Sequence, residues 1–208
     1  MRFNLGIAFE RPFRLSARTG GASMDQQSAP TTNSIYAVFA GGIDTQAVAK
    51  FFNSMTSAQN IAQNPELHIL FQSWGGNVSD GVCLYNFFRT FPVDLTLYNA
   101  GNVSSIATIA YLGAKKRKVS TYATFMIHRT TSPGQPATAE RLNAIAHSVV
   151  ADDQRTEAIL RAHLSLSEDQ WSVHRSADLF LTAKEAITCG LAELGEFAPP
   201  VGTRVFNI

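Results

Sequence analysis

Cysteine is nearly absent. Cys83 and Cys189 are the only two in 208 residues, and neither has a CxxC partner, which excludes a disulfide-stapled scaffold and a cysteine zinc cluster. Both lie in patterns that read as helical and apolar, so buried thiols are expected. The five histidines, His68, His128, His147, His163 and His174, show no HExxH or other close ligand spacing, and no structural zinc is expected. Charge of one sign is also missing. Lys+Arg 17 against Asp+Glu 16 leaves a formal charge of +1, too even a balance for a chain built to neutralise phosphates. Apolar runs are short, each broken within a few positions by Asn, Gln, Ser or Lys, far from the roughly eighteen residues of a membrane-spanning helix.

What remains is an ordinary globular composition, 45% hydrophobic and 16% charged, at the size of one domain with at most a tail. Wholesale disorder is excluded. Residues 1–33 stand apart: Arg2, Arg11, Arg14 and Arg18 outnumber Glu10 and Asp25, and Gly20, Gly21, Ser23, Ser28 and Pro30 stand among them. This is the composition of a flexible leader or tail, with Met24 as an alternative start, and its Arg-rich, acid-poor character also suits an organelle transit peptide.

From Ser34 onward, β-rich runs alternate with helical ones. Ile35–Ala40, Leu67–Phe71, Leu95–Tyr98, Val119–Tyr122 and Phe125–His128 read as strands. Val48, Phe51, Phe52 and Met55 recur at helical spacing over Thr45–Ser57, with Asp44 as N-cap. Val82, Leu84, Tyr85 and Phe88 mark a second helix, and Ser105–Leu112 a third. Strand and helix alternating at this interval imply βαβ units and a mostly parallel sheet. The longest element, Ala139–His163, carries an apolar stripe through Leu142, Ile145, Val149, Val150, Ile159 and Leu160, with Asp152, Asp153 and Arg155 off it. Such a helix leaves the main body and packs against something. Ser167 opens a short helix, and Thr182 with Glu185 forms a capping box before one that ends at Gly190. The last segment, with Pro199, Pro200 and Gly202, has little signal of either kind.

Four places carry more polar and turn chemistry than a core requires. Ser73-Trp74-Gly75-Gly76-Asn77 follows a strand, and paired glycines there let backbone N–H groups approach an anion or a developing oxyanion. Gly101 to Ala107 places Ser104 and Ser105 at a helix start, where a hydroxyl nucleophile gains from unpaired donors. Phe125 to His128 delivers a histidine at a strand end, and Asp178 precedes the last capped helix. Each also has a plain structural reading: a tight turn, an N-cap, a satisfied core histidine, a turn residue.

Together the four resemble the proteolytic-subunit family of the Clp protease, within the ClpP/crotonase superfamily. The family's SPGG turn is similar to Ser73–Gly76, its GxAASMG motif to Gly101–Ala107, its MIHQ to Met126–Arg129, and its aspartate motif to Asp178–Glu193. The interval from glycine turn to serine motif matches without a gap, and the resemblance spans roughly Ile35 to Leu194. It implies an α/β, ClpP/crotonase-like fold of repeated ββα/βαβ units with a protruding handle helix at Ala139–His163. It also implies a serine endopeptidase with Ser105 as nucleophile, His128 as general base and acid, Asp178 orienting the imidazole, and the N–H groups of Gly76 and Ile106 as oxyanion hole. Ser105 is preferred to Ser104 because it takes the last place of the AAS-like triplet. Arg129–Pro136 would bind substrate as a strand. Self-association into heptameric rings, stacked as a tetradecamer, an AAA+ unfoldase and unfolded polypeptide substrate follow from the resemblance, with no metal or organic cofactor. The peptidase unit is expected over residues 34–195, with 196–208 as a C-terminal tail, in the cytoplasm or, if the leader is a transit peptide, in an organelle.

The chain departs from the family pattern at several positions. Trp74 replaces the proline of SPGG, Val103 and Ser104 replace two alanines, Ile106 a methionine and Ala107 a glycine. The connection after His128 is shorter, with Pro133 and Pro136 removing two backbone donors, and Ala177 stands where relatives carry an arginine used in ring contacts. A non-catalytic or regulatory subunit of a mixed ring is the alternative these changes leave open.

Overall fold

The computed structural model describes residues 33–61, 63–132 and 136–208. Residues 1–32 of the leader expected over 1–33, and Pro133, Gly134 and Gln135 of the connection, lie outside them.

Strand β1 (Ser34–Ala40) ends at Gly41, and helix α1 (Thr45–Ile61) starts where Asp44 Oδ1 accepts the Ala47 N–H at 2.8 Å. Strand β2 (Glu66–Gln72) leads through the glycine turn to helix α2 (Val78–Thr90), capped by Asn77, whose side chain accepts from the N–H groups of Ser79 and Asp80. Strands β3 (Asp94–Asn99) and β4 (Asn102–Ser104) precede helix α3 (Ile106–Leu112). Strands β5 (Lys116–Val119) and β6 (Thr124–Ile127) lead to α4 (Ala139–His163), on the expected residues. Helix α5 (Glu168–Ser176) and helix α6 (Ala183–Thr188) flank β7 (Leu179–Thr182), and both helices open on capping boxes, Ser167 with Gln170 and Thr182 with Glu185. Strands β8 (Glu193–Leu194) and β9 (Val205–Asn207) complete the chain.

Six strands form a parallel sheet in the order β8-β5-β3-β2-β1-β9, and β4-β6-β7 form a smaller sheet. Alternate residues of the central strands, Ala37 and Phe39 on β1 and Leu67, Ile69 and Phe71 on β2, face α1 and α2 and are buried. Phe39, Phe51, Phe71 and Phe88 pack there ring against ring, and Phe71 touches Tyr111, which touches Phe125 of the second sheet. One continuous core therefore joins the two sheets. The buried Tyr111 hydroxyl bonds the carbonyls of Leu97 and Lys118 across β3 and β5.

Three expectations need correction. The strand expected over Val119–Tyr122 lies three residues earlier, because Lys116–Val119 pair with Thr96–Asn99 of β3 while Ser120–Ala123 turn back. Cys189 is buried but Cys83 is exposed, since it falls outside the arc of Gly81, Leu84, Tyr85 and Phe88 that α2 buries. The segment after Pro200 does form a strand: β9 runs parallel to β1, and the Ile208 N–H donates to the Val38 carbonyl at 3.0 Å. Helix α4 buries only Asp153 and Leu160, so its apolar stripe is mostly uncovered, with Leu142 and Val150 more than half exposed.

Burial holds His68, His163 and His174 below the ordinary histidine range, desolvation being the largest cause in each. Each thus binds a proton more readily in the unfolded chain. Its contribution to stability is complete above about pH 6.5 and is lost as pH falls through the depressed folded value. Thermal melts stepped from about pH 7.5 to about pH 5 are expected to show a falling midpoint, and His174→Gln a shallower fall. An equal slope in that variant would contradict the assignment.

Candidate active site

The smaller sheet brings the candidate triad together. Strand β4 pairs parallel with β6, placing Ser104 beside Met126, and β7 pairs antiparallel with β6, placing Leu179 beside Ile127. Ser105 and His128 follow β4 and β6 directly, and Asp178 directly precedes β7. Ser105 Oγ is 2.7 Å from His128 Nε2, and His128 Nδ1 is 3.5 Å from Asp178 Oδ1. The first contact is a short hydrogen bond; the second is long, and the Asp178 side chain is 53% exposed.

Ser105 sits at φ 58°, ψ −133°, between the end of β4 and the first turn of α3. For a residue with a Cβ this conformation costs about 1–3 kcal/mol. The surroundings hold it there. The Ser105 N–H donates to the Met126 carbonyl at 2.7 Å, its own carbonyl accepts from Thr108 N, and Ser104 N donates to the Ser73 carbonyl. Fully buried Thr108 fastens the same corner, its Oγ1 donating to the carbonyls of Val103 and Met126. The chain bends sharply enough to lift the Ser105 side chain out of the sheet. Ser104, one residue earlier, is fully buried and its Oγ donates to Asn102 Oδ1 at 2.8 Å.

The glycine turn lies against this corner. A Cβ on Gly75, at φ 101°, would meet Ser105 Cβ at 2.7 Å, and one on Gly76 would meet the Ile43 carbonyl oxygen at 2.1 Å. The approach that the sequence pattern implied is thus required sterically at both positions. Ile43 N donates to the Gly75 carbonyl and Asn77 N to the Ile43 carbonyl, tying the turn to the loop after β1. Among the described residues no acceptor engages the N–H of Gly76 or of Ile106. Gly76, Ser105, Ile106 and His128 all line one pocket, so two donors, a hydroxyl and an imidazole share one cleft. That set is suited to acyl transfer. Trp74 is 74% exposed and does not line the pocket.

The model matching residues 23–194 describes the Clp protease. The chain belongs to the Clp protease family. It is 26% identical over 141 residues to ATP-dependent Clp protease proteolytic subunit 2 of Corynebacterium glutamicum, covering 67% of this chain and 69% of that protein. The subunit 2 of Pseudomonas aeruginosa is 23% identical over 153 residues, covering 73% of this chain and 75% of that protein. In fold, the chain is similar to a ClpP1 mutant from Listeria monocytogenes, with a TM-score of 0.67 at 20% identity, covering 80% of this chain and 92% of that one. The parallel sheet and the long helix are those of a divergent ClpP-type chain. Among the described residues, no helix is long and apolar enough to cross a membrane.

On the far wall of the pocket, the contribution of α4 was not legible in the sequence, whereas Arg129–Thr131 fall within the segment expected to meet substrate. Arg129, Thr130 and Thr131 line the wall after His128, and Thr156 and Leu160 come from α4. Residues 128–132 pair with no strand of the chain's own sheets. Thr156 and Leu160 share a helix face with Asp153 by the 3.6-residue period, the one available signal. Asp153 reads as a solvent-facing charge by sequence and is buried in the fold.

Gly76→Ala is expected to destabilise the folded chain by about 1–3 kcal/mol, through overpacking against backbone that cannot yield. Urea unfolding monitored by far-UV circular dichroism measures it. An unchanged midpoint would show that the turn has more room than its geometry indicates.

Proposed function

We propose that the chain is a serine endopeptidase of the Clp type, cleaving peptide bonds of unfolded polypeptides inside an oligomeric ring. The observation that carries this reading is the 2.7 Å contact between Ser105 Oγ and His128 Nε2 at a strained strand-to-helix corner. His128 takes the Ser105 proton as Oγ attacks the scissile carbonyl, then returns it to the leaving amine. Asp178 accepts from His128 Nδ1 and stabilises the imidazolium, and its contact shortens when substrate or a neighbouring subunit covers that face. The N–H groups of Gly76 and Ile106 receive the oxyanion of the tetrahedral intermediate. Water then resolves the acyl-enzyme by the same proton relay. The peptidase unit is residues 34–195, and β9 beyond it closes the β1 edge of the sheet.

The uncovered stripe of α4 supports assembly, because a 25-residue helix that buries only two residues leaves apolar surface for another subunit. Heptameric rings, stacked as a tetradecamer and fed by an AAA+ unfoldase in the cytoplasm, or in an organelle if the leader directs it there, complete the reading. A second reading, a non-catalytic or regulatory subunit of a mixed ring, is favoured by the 3.5 Å separation at Asp178 and by Trp74 in place of proline.

Labelling with a fluorophosphonate probe separates the two. The assembled wild type is expected to label, Ser105→Ala not at all, and Ser104→Ala at close to the wild-type rate. His128→Ala should slow labelling by about 10²–10⁴-fold. An assembled wild type that does not label contradicts the peptidase reading; labelling lost in Ser104→Ala and kept in Ser105→Ala contradicts the choice of serine. Native mass spectrometry tests the ring, which a stable monomer would exclude.

A further inference from the structure

Helix α4 carries a carboxylate that the proposed chemistry does not use. The Asp153 side chain is only 10% exposed, and a charge so placed requires partners. It has them at short range. The Thr130 N–H donates to Oδ1 at 2.7 Å, Arg129 Nε donates to Oδ2 at 2.7 Å, and Arg129 Nη2 lies 2.7 Å from the same oxygen.

Arg129 and Thr130 follow His128 directly and line the pocket that Ser105 faces. Residues 128–132 belong to no strand, so no sheet ladder fixes them. Among the described residues, the hydrogen bonds that attach Arg129 and Thr130 to the body of the fold are those to Asp153. Thr156, three residues on, adds to the wall and turns its Oγ1 back to the carbonyls of Asp152 and Asp153. Buried His174 lies beside the same group, within the fields of Glu157, Arg129 and Asp153.

We propose that Asp153 is a positioning residue that sets the selectivity of the pocket: it holds the wall from Arg129 to Thr131 at a fixed distance from Ser105. This deepens the peptidase reading and rests on it. Asp153 touches neither substrate nor reacting atoms; it acts through the backbone of Thr130 and the side chain of Arg129. Across the cleft, Val78, Ile106 and Ile109 present an apolar face. A pocket between a rigid apolar face and a pinned wall sorts substrate side chains by size. Released from Asp153, the wall yields, and large and small side chains enter more equally. The Thr130 N–H, being committed to the carboxylate, is also withheld from pairing with a substrate backbone.

The test compares the full-length assembled wild type with Asp153→Ala, Asp153→Asn and Arg129→Lys. Kinetic constants are measured on fluorogenic peptides that differ only in the side chain before the cleaved bond, alanine, leucine or phenylalanine. Amide hydrogen exchange is followed in parallel over residues 124–132. Asp153→Ala is expected to lower kcat/KM on the best peptide by about 10- to 100-fold. It should also narrow the ratio between best and worst peptides by about fivefold or more, within the discrimination such pockets provide. Exchange at Thr130 should accelerate while β1 to β3 stay protected. Asp153→Asn, which keeps an acceptor for the Thr130 N–H, should fall between, and it carries the comparison if Asp153→Ala does not assemble. Equal loss on all three peptides with unchanged exchange would overturn the proposal, because a merely structural role lowers the folded fraction without changing selectivity. If the wild type neither labels nor cleaves, the peptidase reading fails, and exchange alone decides the clamp. Slow wild-type exchange at Thr130 that Asp153→Ala abolishes would uphold it; fast wild-type exchange would overturn it.

Discussion

The hydrogen bond from the Ser105 N–H to the Met126 carbonyl is the contact on which the site depends. It joins the corner after β4 to strand β6, two residues before His128. The lateral distance between the two side chains is therefore a property of the sheet ladder and not of flexible loops. Such coupling also explains how a strained backbone survives at Ser105. Several bonds, three of them from buried Thr108, fix the corner from both sides, so relaxing φ would break more than it relieves.

The rest of the fold supports that corner. The core running from Phe51 through Phe71 and Tyr111 to Phe125 ties the large parallel sheet to the small one. The glycine turn closes against Ser105 because Gly75 and Gly76 alone leave room for it and for the Ile43 backbone. The site thus lies in the crevice beyond the carboxyl ends of β1 and β2, where open α/β sheets place their ligands. Helix α4 forms the fourth side, fastened through Asp153 below the pocket while its uncovered stripe remains available for contact with another subunit.

Much of this was legible in the sequence because it is encoded locally. Asp44, Ser167 and Thr182 cap the helices they precede, and Ala139–His163 has an apolar period that needs no tertiary context. The paired glycines, the serine corner, the histidine and the aspartate stood at intervals that the family resemblance could align; the fold brings Gly76, Ser105 and His128 to one cleft, with Asp178 3.5 Å from the imidazole and outside the cleft lining. What was not legible depends on distant partners. β9 has three residues after a proline-rich stretch, and only the free edge of β1 makes it a strand. Val119–Tyr122 has a strand-like composition, but the ladder with β3 takes in Lys116–Val119 and the chain turns back from Ser120. Asp153 looks like any solvent-facing charge on a helix until Arg129 and Thr130, more than twenty residues earlier, arrive beside it.

The account's central claim is that the corner at Ser105 and the turn at Gly76 form one acyl-transfer site. A crystal structure of the assembled protein after treatment with a β-lactone tests it most directly. The account predicts an ester on Ser105 Oγ whose carbonyl oxygen lies within about 3.2 Å of the N–H nitrogens of both Gly76 and Ile106. An ester on Ser104, or one on Ser105 whose oxygen points away from those two donors, would contradict it.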